Sequence, residues 1–131
     1  MKIWTSRYGF KGLNKPELVK VGIAQGVPRW PLKYELMANL LCLAPTTAMR
    51  EMVREEYLPL YIERLEALGV GRVLAILEAL AGDKNIALLC WEDLNKQGLW
   101  CHRRLFADWW FTQTGEKVEE LERIVMQGGL L

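Results

Sequence analysis

The chain reads, from Asn85 to Phe111, N-I-A-L-L-C-W-E-D-L-N-K-Q-G-L-W-C-H-R-R-L-F-A-D-W-W-F. Its first part is an unbroken apolar run, which is followed shortly by a carboxylate, Glu92. A run of this length that does not alternate with polar residues is typical of a strand buried on both faces of a parallel sheet. After a polar loop, the pattern predicts a helix from Cys101 to about Gln113 whose apolar face meets the core. A buried parallel strand followed by an amphipathic helix indicates an α/β fold.

Shorter segments on both sides complete the predicted layout. Strands are expected at 2–8, 18–24 and 86–91. Helices are expected at 33–43, from about 48, from 55 or 56 to 69, and at 70–81, with Pro59 in a first turn. Residues 117–121 are expected to form an edge strand or a helical turn, and 126–131 a frayed tail. We therefore predict a single α/β domain over residues 1–131, with a mostly parallel sheet of three to five strands flanked by helices.

The composition excludes several other classes of protein. The 131 residues are 51% hydrophobic and 25% charged, which is ordinary for a globular domain. No apolar run approaches the roughly 18 to 20 residues of a membrane span, and the N-terminus lacks the apolar middle of a signal peptide. Three cysteines without framework spacing argue against a disulfide scaffold. We expect a cytoplasmic protein with no membrane partner.

Polar side chains follow the ends of the predicted strands. In an open parallel sheet, ligands bind outside the carboxyl ends of the strands. Those ends carry Arg7, the Arg29-Trp30 pair, and the segment from Cys90 to Glu92. The N-terminus of the Cys101 helix, with its unpaired N–H groups, forms a further wall that favours an anion. We therefore predict a pocket for a phosphate-bearing ligand, a nucleotide or a nucleic-acid end, clamped by Arg7, Arg29 and Arg103.

Three side chains near this pocket are candidates for chemistry. Cys101 is either a nucleophile, because a helix N-terminus beside His102 and two arginines favours its thiolate, or a structural thiol. Glu92 is either a nucleophile or general base, or the ionic partner of Arg103. His102 is expected to orient a hydrogen bond or to shuttle a proton.

Two further features bear on the ligand. Cys90, Glu92, Cys101 and His102 are metal-ligand types, but adjacent residues on a helix project about 100° apart, so no metal and no cofactor are predicted. Trp30, Trp91 and Trp100 flank the proposed site, where they either stack on a base or sugar or simply pack in the core. Their common location favours the nucleotide interpretation.

The residues quoted above also carry a family resemblance. The pairing of L-L-C-W-E (88–92) with W-C-H-R-R (100–104) resembles domain-of-unknown-function family 488 (DUF488) of bacteria and phages. Val27-Pro28-Arg29-Trp30, Leu43-Ala44-Pro45 and the stretch from Glu56-Tyr57 to Leu65 extend it over nearly the whole chain. The resemblance implies a small α/β sheet protein and no particular reaction. By this resemblance, Cys90, Glu92, Cys101, His102 and Arg103 match the family's motif, and Arg29 corresponds to a basic residue near its second strand.

Two other interpretations remain open. Residues 1–33 contain seven basic side chains against Glu17 alone, a balance of +6, which suits a non-enzymatic module that binds nucleic acid or a protein. Alternatively, Cys90, Glu92, His102 and Arg103 form a buried polar network that joins the strand to the helix. Salt dependence and stability measurements distinguish these interpretations from the pocket.

Overall fold

A computed structural model of the protein describes residues 1–96 and 99–128. The strands in this part of the chain are β1 (Ile3–Arg7), β2 (Leu18–Gly22), β3 (Leu36–Asn39), β4 (Asn85–Cys90) and β5 (Glu119–Glu120). The α-helices there are α1 (Arg54–Leu68), α2 (Val70–Ala81), α3 (His102–Thr114) and α4 (Leu121–Met126). No helix among these residues is long and apolar enough to cross a membrane. The predicted frayed tail lies partly outside the described residues.

The five strands form one parallel sheet in the order β3-β2-β4-β1-β5. β4 lies between β1 and β2, with Arg7 opposite Cys90 and Gly22 opposite Leu89. The apolar run of β4 is fully buried after Asn85, because both sheet faces are covered. The predicted α/β class with a parallel sheet is therefore confirmed.

Two apolar cores lie on opposite faces of the sheet. The larger one packs α1, α2 and α3 against β1, β2 and β4, and includes the buried side chains of Tyr61, Leu77 and Trp110. The smaller one packs Leu121 of α4, together with Tyr8 and Leu13, against the other face. Trp109 and Trp110 are buried. The apolar residues that recur at helical spacing in the sequence thus pack the helices against the sheet.

The prediction of a helix over residues 33–43 is wrong. The structure has strand β3 there, followed by a 3-10 turn at Leu41–Leu43. Leu36, Leu40 and Leu43 have helical spacing, but the strand pairs with the otherwise open edge of β2 and satisfies its backbone groups. The backbone N–H of Leu40 also donates to the carbonyl of Gly22, at 2.8 Å. Pairing at the sheet edge outweighs a short local pattern.

Two helix boundaries also differ from the sequence-based expectation. The helix expected from about Ala48 is a 3-10 turn at Thr47–Glu51. α1 then begins at Arg54, one or two residues before the predicted start at Glu55 or Glu56, because Val53 is extended. Pro59 consequently lies in the second turn of α1. Residues 117–121 contain parts of both predicted alternatives, since β5 leads directly into α4.

The strand order places a reversal of direction between β2 and β4. The chain leaves β2 toward β3 at one edge, whereas it leaves β4 through α3 toward β5 at the other edge. Where neighbouring strands send their connections in opposite directions, a crevice opens at their carboxyl ends. The topology therefore places the candidate site after Gly22 and Cys90.

Candidate functional site

A cavity of about 770 Å³ lies at this reversal. Its lining comes from the segments that follow β2 and β4, from the Pro45–Met52 region, from Tyr57 of α1, and from the start of α3. A volume of this size is typical of small-molecule sites. Glu92, Cys101 and His102, three of the predicted site residues, line the cavity together.

The helix α3 begins at His102, one residue later than predicted. Cys101 precedes it as the N-cap residue, with extended backbone angles (φ −146°, ψ 145°), and makes no side-chain capping bond. The first N–H groups of a helix have no acceptor inside the helix. The positive end of α3 thus faces the cavity that Cys101 and His102 line.

The tautomer of His102 follows from its surroundings. Its Nε2 forms a short hydrogen bond with the carbonyl oxygen of Ile23, which can only accept, so Nε2 carries the hydrogen. Burial lowers the pKa of His102 to about 4, despite the opposing effect of this bond. The ring is therefore neutral near pH 7. Its Nδ1 keeps a free lone pair 3.7 Å from the sulfur of Cys101.

Cys90 and Cys101 meet beneath the cavity. Both are buried, and their sulfur atoms are within bonding distance. Their Cα atoms are 7.4 Å apart, whereas disulfides usually have Cα separations of about 4.4 to 6.8 Å. The ligand atoms of Cys90, Cys101 and His102 all lie within 4.8 Å of one another. These three side chains are the ones that could hold a metal in this site.

Arg103 does not reach the cavity. It is fully buried, and its Nε and Nη2 donate to Glu120 at 3.0 and 2.8 Å. The same guanidinium donates to the sulfur of Cys90 at 3.2 Å and to the backbone carbonyl of Glu92 at 2.8 Å. The carboxylate paired with Arg103 is thus that of Glu120, and Glu92 contributes only its backbone oxygen.

The other two predicted clamp arginines lie elsewhere. Arg7 forks onto Glu122, with Nη2 to Oε2 at 2.8 Å, and its Nη1 is 3.9 Å from Asp93. The hydrogen bond to Glu122 raises the pKa of Arg7. Arg29 is exposed and lies outside the cavity lining formed by the described residues. The structure therefore does not bring Arg7, Arg29 and Arg103 together around one ligand.

Arg50 is the basic side chain that lines the cavity. Glu92 also lines the cavity, and its Oε2 lies 3.5 Å from the sulfur of Cys90. Tyr57 is 4% exposed, and its burial and the nearby charge of Glu92 raise the pKa of its hydroxyl. Among the described residues, the lining therefore combines the guanidinium of Arg50, the carboxylate of Glu92 and the neutral phenol of Tyr57.

Aromatic rings border the cavity. Trp91 and Trp100 line it, and Trp100 packs edge-on against Tyr57 at a ring separation of 4.8 Å. Trp91 lies edge-on between Tyr8 at 5.3 Å and Trp30 at 5.4 Å. Trp91 is 42% exposed, and its indole nitrogen donates to the carbonyl of Gly26. An exposed indole held in one orientation offers a flat surface to a ligand ring.

Sequence reasoning missed Glu120, Arg50 and Tyr57. The signal for Glu120 was weak: a carboxylate in a short segment that was expected to be a strand or a turn, with nothing local to indicate burial. Arg50 and Tyr57 lie near the start of the segment that covers the sheet, 35 and 28 residues before Asn85, where β4 begins. Only the tertiary fold brings them to the strand ends.

No protein-family model, no curated protein and no solved structure matches this chain. The resemblance to domain-of-unknown-function family 488 therefore stays a prediction based on the motif.

Proposed function

We propose that the cavity binds a phosphate-bearing ligand, a nucleotide or a nucleic-acid end. The observation that carries this proposal is the uncapped start of α3 at a nucleotide-sized cavity with Arg50 in its wall. The helix N-terminus favours a phosphate by its N–H groups and its dipole. Arg50 adds a guanidinium, which can donate two parallel hydrogen bonds to phosphate oxygens.

The role predicted for Arg7 and Arg103 passes to Arg50 in this proposal. Arg7 and Arg103 already donate to Glu122 and Glu120, and removing the fully buried guanidinium of Arg103 from its carboxylate is costly. Trp91 and Trp100 support a ligand that also has a ring, because stacking on an aromatic side chain does not depend on base identity.

If the bound ligand also reacts, three cavity groups are placed to take part. Glu92 is the carboxylate, Cys101 is the thiol in the form in which its sulfur is not bonded to that of Cys90, and Nδ1 of His102 is the neighbouring base. His102 accepts a proton through Nδ1 while Ile23 holds the other nitrogen in place.

Titration with nucleotides tests the proposal. Wild-type protein is titrated with nucleoside mono- and diphosphates and with a 5′-phosphorylated oligonucleotide, and tryptophan fluorescence is followed. Arg50→Gln should weaken binding roughly 10- to 100-fold, as expected for loss of a charge-assisted hydrogen bond. The matched control is Arg72→Gln, an exposed position on α2, which should bind as wild type does. Equal affinities for Arg50→Gln and wild type would exclude the proposed ligand geometry.

A second candidate function is a binding module without catalysis. The burial of Arg103 between Glu120, Cys90 and Glu92 favours it, because this part of the motif then holds the fold together. A surface that tracks phosphates through the basic residues of 1–33 should lose affinity steeply with added salt, whereas a one-phosphate pocket should respond weakly. The same titrations at several salt concentrations distinguish the phosphate pocket from the binding module.

A further inference from the structure

Three potential metal-binding atoms converge below the cavity. They are the sulfurs of Cys90 and Cys101 and the Nδ1 of His102, all within 4.8 Å of one another. Each of the three residues is at most 7% exposed. Buried thiols and an imidazole in one cluster are the ligand set that zinc and related ions prefer.

The backbone explains why two adjacent residues point to one place. If Cys101 and His102 both lay in the helix, their side chains would project about 100° apart and would not share one ion. Cys101 instead has extended angles, and only His102 is helical. The two side chains therefore converge, with Cys101 Sγ and His102 Nδ1 3.7 Å apart. Ligand bonds of about 2.3 Å for sulfur and 2.0 to 2.1 Å for nitrogen, at tetrahedral angles, give a separation of about 3.6 Å.

His102 is oriented as metal-binding histidines usually are. Its Nε2 donates to the backbone carbonyl of Ile23, which leaves Nδ1 without a hydrogen and directed toward the cysteines. Such a hydrogen bond from the second ring nitrogen fixes both the tautomer and the ring in metal sites.

The charges around the sulfurs also favour a cation. Arg103 donates to Cys90 at 3.2 Å, but its own charge is compensated by Glu120 at 2.8 Å. Two thiolates at this position would otherwise be buried without a counter-charge, which is costly. A divalent ion neutralises both, while the two thiol protons pass to solvent.

We propose that Cys90, Cys101 and His102, in the dithiol form, bind one divalent ion of the zinc class. Three protein ligands leave a fourth position, and two of the three ligand residues, Cys101 and His102, line the cavity. An open fourth position is the arrangement of catalytic rather than structural zinc sites, where it takes water or substrate. The site does not depend on the phosphate-binding proposal.

Cobalt provides a spectroscopic test. The protein is reduced with a phosphine, freed of metal with a chelator, and titrated with Co²⁺ without oxygen. We expect one ion per chain, a thiolate-to-cobalt charge-transfer band, visible bands of tetrahedral intensity, and displacement by Zn²⁺. Cys90→Ser, Cys101→Ser and His102→Gln should each lower Zn²⁺ affinity more than about 100-fold, since changes to supporting residues alone cost 10- to 100-fold.

The control is Cys42→Ser, because Cys42 is the free, half-buried cysteine outside the cluster. It should keep the wild-type spectrum and affinity. X-ray absorption of the zinc-loaded wild type, which requires no variant to fold, should show two sulfur ligands and at least one nitrogen. Reduced wild type that takes up no stoichiometric Co²⁺, or a charge-transfer band of undiminished intensity in a folded Cys90→Ser variant, would overturn the proposal.

Discussion

Arg103 and Glu120 form a fully buried ion pair that joins α3 to the edge strand β5. Two parallel hydrogen bonds connect them, and Thr5 of β1 donates a third to Glu120 at 2.7 Å. Arg104 donates in turn to Thr5 at 2.8 Å. The network thus connects α3, β5 and β1, and Arg103 also donates to the sulfur of Cys90. The position of the site therefore depends on this network.

Replacing Glu120 by Gln should therefore destabilise the fold. The charge of Arg103 would remain buried without its partner, which costs about 3 to 5 kcal/mol. Denaturant unfolding measures the change. Glu119→Gln, the adjacent and half-buried position, should change stability by no more than about 0.5 kcal/mol. Similar losses for both variants would contradict the role assigned to the pair.

The stability of the protein should depend on the protonation of His102. Its pKa is about 4 in the fold because of burial, whereas an unfolded histidine titrates near about 6.5. Between these pH values the unfolded chain binds a proton that the folded chain does not. The free energy of unfolding should thus fall as pH drops from about 6.5 to 4, by on the order of 3 kcal/mol, and this contribution should not change further below pH 4.

His102→Gln isolates this effect, because the chain has one histidine. Unfolding curves of both proteins are compared at several pH values with a chelator present. The difference in stability between wild type and variant should shrink as pH falls from about 6.5 to 4. A constant difference over this range would show that burial does not shift the titration of His102.

Gly22→Ala should destabilise the protein. A methyl group at this position, the last of β2, would collide with Tyr8 Oη and Asn39 Oδ1. Both are buried atoms, so relief requires a shift of the sheet and costs about 1 to 3 kcal/mol. The control is Gly71→Ala in α2, where added atoms meet nothing and alanine favours the helix. Thermal unfolding should give changes of opposite sign.

Trp91→Ala should separate ring binding from phosphate binding. Stacking on an aromatic side chain contributes about 1 to 3 kcal/mol per base, so nucleotide affinity should fall roughly 5- to 150-fold. Inorganic phosphate should bind as tightly as before, because it has no ring. Phe111→Ala, at an exposed aromatic position near the end of α3, serves as control. Calorimetric titration measures the affinities for nucleotide and for inorganic phosphate. If Trp91→Ala weakened the binding of both ligands equally, this would argue against stacking.

Much of the fold follows from local patterns. The bounds of β4 and α3 were predicted within one or two residues. A buried strand and an amphipathic helix can each be recognised from the order of polar and apolar residues within the segment itself. The conformation of residues 33–43 was not predicted correctly, since it depends on pairing with the edge of β2. The site shows the same division: Glu92, Cys101 and His102 were expected to lie together and do line one cavity, whereas Arg7, Arg29 and Arg103 do not meet.

The sequence by itself determined the α/β class and the central strand with its flanking helix, because hydrophobic periodicity is a property of neighbouring residues. It also placed polar groups after the strands. Only the tertiary structure decided which groups meet. Arg103 turns away from the cavity because Glu120, 17 residues later, reaches it in the interior, and Cys90 meets Cys101 and His102 because β4 and the extended N-cap of α3 converge. Pairing across such distances depends on packing geometry, to which no local pattern corresponds.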